Sequence, residues 1–341
     1  MKELTVGKND AGQRLDRFVG KAVPLLPESL LQKYIRLKRI KLNGKGSKRD
    51  TRLNEGDVLS LYINDEFFEK PTERNSYLKV GAPRLDIVYE DENILLADKK
   101  PGVLCHSAGE WDYNTLIANI QAYAYQKGEW RPREENAFAP ALCNRIDRNT
   151  GGIVIAAKNA EALRIINEKI KEREIEKYYL CVVRGRPKPA EGELRGYIFK
   201  DAAKNRVYVR SKPEPGAKEA VTYYKTLASA NGLSLVECRL GTGRTHQIRV
   251  HMSWQGHPLF NDERYGGDRI LKGTTFSKYR QFVENCFAVL PRHALHARSL
   301  GFVHPTTRET VYFESKLPSD FRALLEKWET YAAASKETDN G

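Results

Sequence analysis

At 341 residues the chain has the length for two domains, with a sizeable core in the larger, and its net charge of +13 points to a polyanionic partner, nucleic acid before an anionic membrane surface. No apolar run approaches the ~20 residues that span a bilayer, and the N-terminus lacks the apolar core of a signal peptide. Five scattered cysteines without a C-x-x-C pair argue against a disulfide framework or a zinc ribbon, so a cytoplasmic protein with reduced core thiols is expected.

Residues 13–63 read as a small separate unit. Leu15, Phe18, Val19, Ala22 and Val23 recur on one face of a helix, and a second helix follows Pro27, with Ser29 as its cap and Leu30, Leu31, Tyr34 and Ile35 as its apolar side. Ile40 and Leu42 alternate in a strand that ends at the Asn43-Gly44 turn, and Val58 to Ile63 form another. Lys33, Arg36, Lys38, Arg39, Lys41, Lys45, Lys48, Arg49 and Arg52 are opposed in that window only by Asp50. A solvated helix face normally mixes its signs, so a patch of one sign reads as a phosphate track. A basic surface without a partner is the alternative.

Residues 64–83 are polar, broken by prolines and glycine, and read as a linker. A strand, an acidic turn and a second strand then span 85–97. Asn144 to Gly152 places Asp147 between Arg145 and Arg148 on a Thr-Gly-Gly turn that feeds the apolar run Ile153 to Ala157. Flanking positive charge favours an ionised carboxylate, and a rigid turn would aim it, as a nucleophile requires. An ordinary surface turn is the competing reading. Cys143 raises a Cys/His hydrolase, but no paired base or oxyanion turn accompanies it.

Leu163, Ile166 and Ile170 give an amphipathic helix within 159–174, and a strand covers 175–185, with Tyr179 on it. In Leu240 to Met252, Thr242-Gly243-Arg244 reads as a turn, and Ile248 with Val250 as an apolar face that leaves Arg249 on the other side. A phosphate-binding loop is excluded there by the missing G-K-[ST] ending. His293, His296 and His304 lack an acidic or thiol partner at ligand spacing, so no metal site is expected. A terminal helix from Leu317 ends near Tyr331, and 332–341 read as a flexible tail.

Several of these stretches share a resemblance. The segment N-R-I-D-R-N-T-G-G-I-V-I-A-A-K resembles the H-R-L-D-x-x-T-S/G-G-(apolar)-A-K signature of RluA-type pseudouridine synthases, with Asn144 where the family usually has His and Gly151 where it often has Ser or Thr. Residues 98–106 resemble the family's N-K-P-x-G-L-x-x-H, 177–185 its K-x-Y-L-A-L-V-x-G, and 240–251 its L-x-T-G-R-T-H-Q-I-R-V-H. Asn261 to Gly267 resembles G-D-x-x-Y-G, and His293 to Pro305 the closing L-H-A…F-x-H-P. The pattern of 14–58 resembles the alpha-L RNA-binding module of a small-subunit ribosomal protein.

The resemblance implies an α+β fold with a long, bent, mostly antiparallel sheet and a central basic cleft, plus a small N-terminal α/β RNA-binding module. It implies domains at 1–63 and 84–331, joined by 64–83. The implied activity is isomerisation of uridine to pseudouridine in RNA, with Asp147 as nucleophile, Tyr179 against the flipped uracil and Arg249 paired with Asp147. Lys33, Arg36, Lys38, Arg39, Lys41, Lys45, Arg145, Arg148, Arg244, His246 and Gln247 would contact RNA. No cofactor or metal is expected, because the reaction involves no redox change, group transfer or hydrolysis. Large-subunit ribosomal RNA is the implied substrate, with transfer RNA second; no membrane partner is expected, and the chain is expected to be a monomer. From another class, a non-catalytic RNA-binding or ribosome-assembly factor would fit, but Asp147, Tyr179 and Arg249 are all present.

Overall fold

The computed structural model describes residues 1–68, 76–107, 114–132, 136–201, 206–269 and 277–339. Part of the expected linker, 69–75, and the last two residues lie outside them. Packing divides the chain into unit 1, residues 1–96, 104–144 and 155–168, and unit 2, residues 97–103, 145–154 and 169–341.

Unit 1 opens with β1 (Lys2–Thr5), α1 (Leu15–Ala22), α2 (Glu28–Arg36), β2 (Ile40–Leu42), β3 (Lys45–Gly46) and β4 (Val58–Leu61). The strands form an antiparallel sheet in the order β1-β4-β2-β3. Leu15, Phe18 and Val19 of α1 and Leu31, Tyr34 and Ile35 of α2 pack with Ile40, Leu59 and Leu61 in one core, so the helical spacing of those residues is a buried face. Ser29 is not the cap: α2 starts at Glu28, with Pro27 before it and no side-chain cap. Proline's fixed φ is suited to a helix start without one.

The chain continues through β5 (Ile87–Glu90), β6 (Ile94–Lys99), α3 (Leu116–Gln126), β7 (Ala141–Leu142), β8 (Gly151–Ala157) and α4 (Ala160–Lys171). The residue pattern does not signal α3; its apolar and alanine positions are buried all round, which erases the polar face a period search needs. Thr115 caps it, accepting from the Ala118 N–H at 3.2 Å. Every residue of β8 is buried, as a continuous Ile/Val/Ala run requires.

Unit 2 is built on β9 (Glu176–Arg184), β10 (Glu191–Asp201), β11 (Arg206–Arg210), β12 (Lys218–Ala230) and β13 (Leu233–Leu240). After them come α5 (Gln247–Trp254), α6 (Ser277–Val289), β14 (Leu295–Val303), β15 (Thr310–Glu314) and α7 (Ser319–Asp339). The strands run antiparallel in the order β11-β10-β12-β13-β9-β14, with β15 also on β14, and β14 then pairs in parallel with the start of β8. On α7, Phe321, Leu324 and Trp328 face Phe282, Val283 and Cys286 of α6, and Tyr331 stacks on Phe282. The helix does not stop near Tyr331 but runs to Asp339, through three alanines of the highest helix propensity and no breaker.

Arg249 lies on a helix rather than on an alternating segment. Ile248 and Met252 of α5 enter the cluster of Tyr179, Cys181 and Cys238, while Val250 enters a second one with Ile198, Val207 and Tyr265. A short helix clasped by two apolar clusters shows a two-residue spacing that mimics a strand.

Gly152 joins β8 to β14. Its φ is +124°, and a β-carbon there would run into the backbone carbonyl of Ala297. We predict that Gly152→Ala loses on the order of 3 kcal/mol of stability, from backbone strain and overpacking together. An unchanged urea-unfolding midpoint would show that β8 and β14 have room to separate.

Candidate active site

The turn that carries Asp147 is held through its backbone carbonyls by two buried cations. Lys99, 2% exposed, donates from Nζ to the carbonyls of Lys100, Val103 and Arg148 at 3.0, 2.8 and 2.9 Å. The Gly102 N–H donates to the same Arg148 carbonyl at 2.8 Å. Arg292 donates from NH1 to the Asn149 carbonyl at 3.0 Å, while its Nε and NH2 fork onto Asp320 at 2.7 and 2.9 Å. Thr150 closes the turn, its N–H donating to the Asp147 carbonyl and its hydroxyl meeting His293 Nε2 at 2.9 Å. Buried ammonium and guanidinium groups are tolerated only when their donors are satisfied, and these satisfy backbone acceptors that no ladder reaches.

Asp147 presents a side chain 24% exposed at the end of that turn. Its Oδ2 accepts from Arg249 NH1 at 2.9 Å, from 102 positions further along the chain. Among the described residues its Oδ1 takes no hydrogen bond, so one oxygen is tethered and the other is not. Arg249 is 7% exposed, and its Nε and NH2 donate to Asp262 Oδ2 and Oδ1 at 2.7 and 2.9 Å. Burial alone would lower the pKa of this guanidinium, but Asp262 first and Asp147 second outweigh it and raise it. His246 Nε2 lies 3.9 Å from Asp147 Oδ2, and its Nδ1 meets the Tyr265 hydroxyl at 2.8 Å. Burial lowers the His246 pKa, against the pull of Asp147, so the imidazole is neutral at pH 7.

An arginine is thus held between a buried and a half-exposed carboxylate, and the family of the chain follows from its sequence relatives. The profile of the family described as RNA pseudouridylate synthase matches residues 93–254. An uncharacterized RNA pseudouridine synthase of Chlorobaculum parvum is 33% identical over 98% of this chain and 99% of its own. The chain belongs to the RNA pseudouridine synthase family. Ribosomal large subunit pseudouridine synthase D of Neisseria meningitidis serogroup B is 33% identical over 94% of this chain and 80% of its own. Ribosomal large subunit pseudouridine synthase C of Escherichia coli K12 is 30% identical over 96% of each chain. The fold is also that of human RNA pseudouridylate synthase domain containing 4, with a TM-score of 0.55 at 22% identity over 74% of this chain and 96% of that one.

In this pseudouridine synthase, Tyr179 is 8% exposed on β9, in the cluster of Cys181, Ile248 and Ala297, against which Ile146 also packs. Arg145 and Arg148 are exposed, and the described ion pairs of Asp147 run to Arg249 and His246 rather than to them. Sequence neighbours point away from each other on a tight turn, which is why the local charge is a poor guide.

Gln247 is not placed to contact RNA. At 3% exposure its amide donates to the Val221 carbonyl and Thr222 hydroxyl and accepts from Thr242 and the Arg244 N–H, tying the Thr-Gly-Arg turn to β12. Arg244 is half-buried, with Nε on the Glu219 carbonyl. In unit 1, Lys33, Arg36, Lys38, Lys48 and Arg49 line an open groove of about 730 Å³. Arg39 and Lys41 lie instead over the rings of Tyr34 and Tyr62, and Lys45 is exposed on β3.

Asn144, where the family usually has His, accepts from the Ile155 N–H at 2.8 Å and so pins the strand that follows. Burial pushes the Cys143 thiol up to about 12, which removes the thiolate a hydrolase would need. Sequence reasoning assigns no role to Asp262, Lys99 or Arg292. The first two stand in recognised motifs, whereas nothing around Arg292 signals it.

The three C-terminal histidines serve the fold: His293 meets Thr150, His296 Nε2 meets the Ser315 hydroxyl at 3.0 Å, and His304 Nδ1 accepts from the N–H groups of Thr306 and Thr307. Burial lowers the pKa of His293 to about 2 and those of His296 and His251 to about 4. Each stays neutral in the fold and takes a proton on unfolding once the pH falls below the unfolded value, so stability is full above that value and lost beneath it. With an unfolded pKa of about 6.5, lowering the pH from about 7.5 to about 5.5 should cost unit 2 on the order of 4 kcal/mol. Urea unfolding at the two pH values measures this, and equal midpoints would contradict it.

Proposed function

We propose that Asp147 is the nucleophile of uridine isomerisation and that large-subunit ribosomal RNA is the substrate. The observation that carries the first part is the 2.9 Å pairing of Asp147 Oδ2 with a buried Arg249, which leaves Oδ1 untethered on a half-exposed side chain. The names of the Neisseria and Escherichia relatives, similar over most of this chain, support the second.

In the reaction the bond from ribose C1′ to uracil N1 breaks, a bond from C1′ to C5 forms, the proton at C5 leaves and one is gained at N1, so substrate and product are isomers. The target base must leave its stack, at a cost of a few kcal/mol that is least where RNA is already looped. Asp147 acts on the extruded nucleotide. Arg249 pairs with the carboxylate and aims it in a site partly stripped of water, where an unpaired charge would be costly. Tyr179, on the strand beside this turn, offers a ring for the uracil and a phenol to take the C5 proton. The N-terminal module holds flanking RNA through the groove of Lys33, Arg36 and Lys48.

Asp147→Asn should abolish pseudouridine formation in a large-subunit RNA fragment while the dissociation constant stays within about threefold, because phosphate contacts dominate affinity. Turnover near the parent rate would remove Asp147 from the chemistry. Replacing Lys33, Arg36 and Lys48 together by Gln should flatten the log–log salt dependence of binding by about 0.7 for each phosphate of single-stranded RNA that these cations neutralise. An unchanged slope would make the groove a solvated surface.

A further inference from the structure

Arginine is a long side chain with about 2 kcal/mol of rotamer entropy, so its presence near a carboxylate does not by itself fix where its N–H groups point. In this enzyme the direction is set from the other side. The Nε and NH2 edge of Arg249 is forked onto Asp262, 1% exposed, and because the guanidinium is planar that fork leaves NH1 directed at Asp147.

Asp262 can act as an anchor because its own backbone is fixed at both ends. Phe260, fully buried, donates its N–H to the Val182 carbonyl of β9 and accepts at its carbonyl from the Ala294 N–H. The Asp262 N–H donates to the Leu259 carbonyl, and its own carbonyl accepts from the N–H groups of Tyr265 and Gly267. A β-carbon on Gly267 would collide with the Leu259 carbonyl, so the turn is too tight for any other residue there. From the same turn Tyr265 lays its ring 5.2 Å from the guanidinium carbon.

We infer that Asp262 is a positioning residue of the isomerisation: its carboxylate aims Arg249, and through Arg249 it aims Asp147. The inference rests on the reading that Asp147 and Arg249 carry the chemistry. Asp262 has no open route to the substrate, so its whole effect must pass through the guanidinium. Removing the fork would free Arg249 to swing without removing its charge.

A double-mutant cycle in the full-length protein tests this, with single-turnover rates at saturating RNA, dissociation constants on the same RNA and thermal unfolding of each variant. Asp262→Asn keeps the size of the side chain but sets an NH2 against the guanidinium, and should slow the reaction by about tenfold to a hundredfold with affinity within about threefold. Added to Arg249→Met, it should cost nothing further, because the residue it acts through is gone. Should Asp262→Asn fail to fold, Asp262→Glu serves, since it keeps the charge but moves the carboxylate by a methylene; it too should slow the parent and leave Arg249→Met unaffected. Losses that multiply in the double variant, or no loss in either single Asp262 variant, would overturn the inference while leaving Arg249 in place. A fast Arg249→Met enzyme would instead overturn the underlying reading, and this one with it.

Discussion

One guanidinium shared between two carboxylates organises the catalytic unit. Arg249 is almost wholly buried, and a cation left there without any partner would cost several kcal/mol, so the fold tolerates it only when paired. The division between those partners is unequal. Asp262, buried and bidentate, satisfies two nitrogens, whereas Asp147 receives a single bond and keeps half of its carboxylate clear. A buried bidentate pair and a half-exposed single contact thus share one cation.

The same economy governs the turn under Asp147. A turn exposes carbonyls that no strand ladder satisfies, and here Lys99 and Arg292 satisfy them from beneath while Gly151 and Gly152 carry the chain into β8 against β14. Four separated segments therefore converge on one aspartate: the Lys99 turn, the strand pair, the helix of Arg249 and the turn of Asp262. Mobility is removed from the backbone of Asp147 by hydrogen bonds and from its side chain by charge, two constraints of different origin that should respond differently to salt. Screening weakens exposed charge pairs, so the half-exposed Asp147–Arg249 contact is the more sensitive, and the buried carbonyl contacts of Lys99 the less.

Much of this is legible in the residues. The helical spacing of Leu15, Phe18 and Val19 marks a buried face, and the Ile/Val/Ala run after Gly152 marks a strand covered on both sides. What resists reading is burial on all sides. In α3 and α5 buried residues surround the helix, so the amphipathic period disappears, and Ile248 and Val250 imitate a strand while serving two different clusters. Gln247 reads as a surface amide because its neighbours in sequence are polar; its partners on β12 lie more than twenty positions upstream. Asp262 is visible as a letter in a motif but not as a role, since only the folded distance to Arg249 gives it one.

Arg249, as proposed above, would serve the carboxylate rather than the RNA. Single-turnover rates for Arg249→Met, measured beside the dissociation constant on the same RNA, test it most directly. The rate should fall by about a hundredfold or more, from ~3 kcal/mol of forfeited pairing and orientation in the transition state, with affinity changed by no more than about threefold. A large loss of affinity with an undiminished rate at saturation would contradict it, and would make Arg249 a phosphate contact.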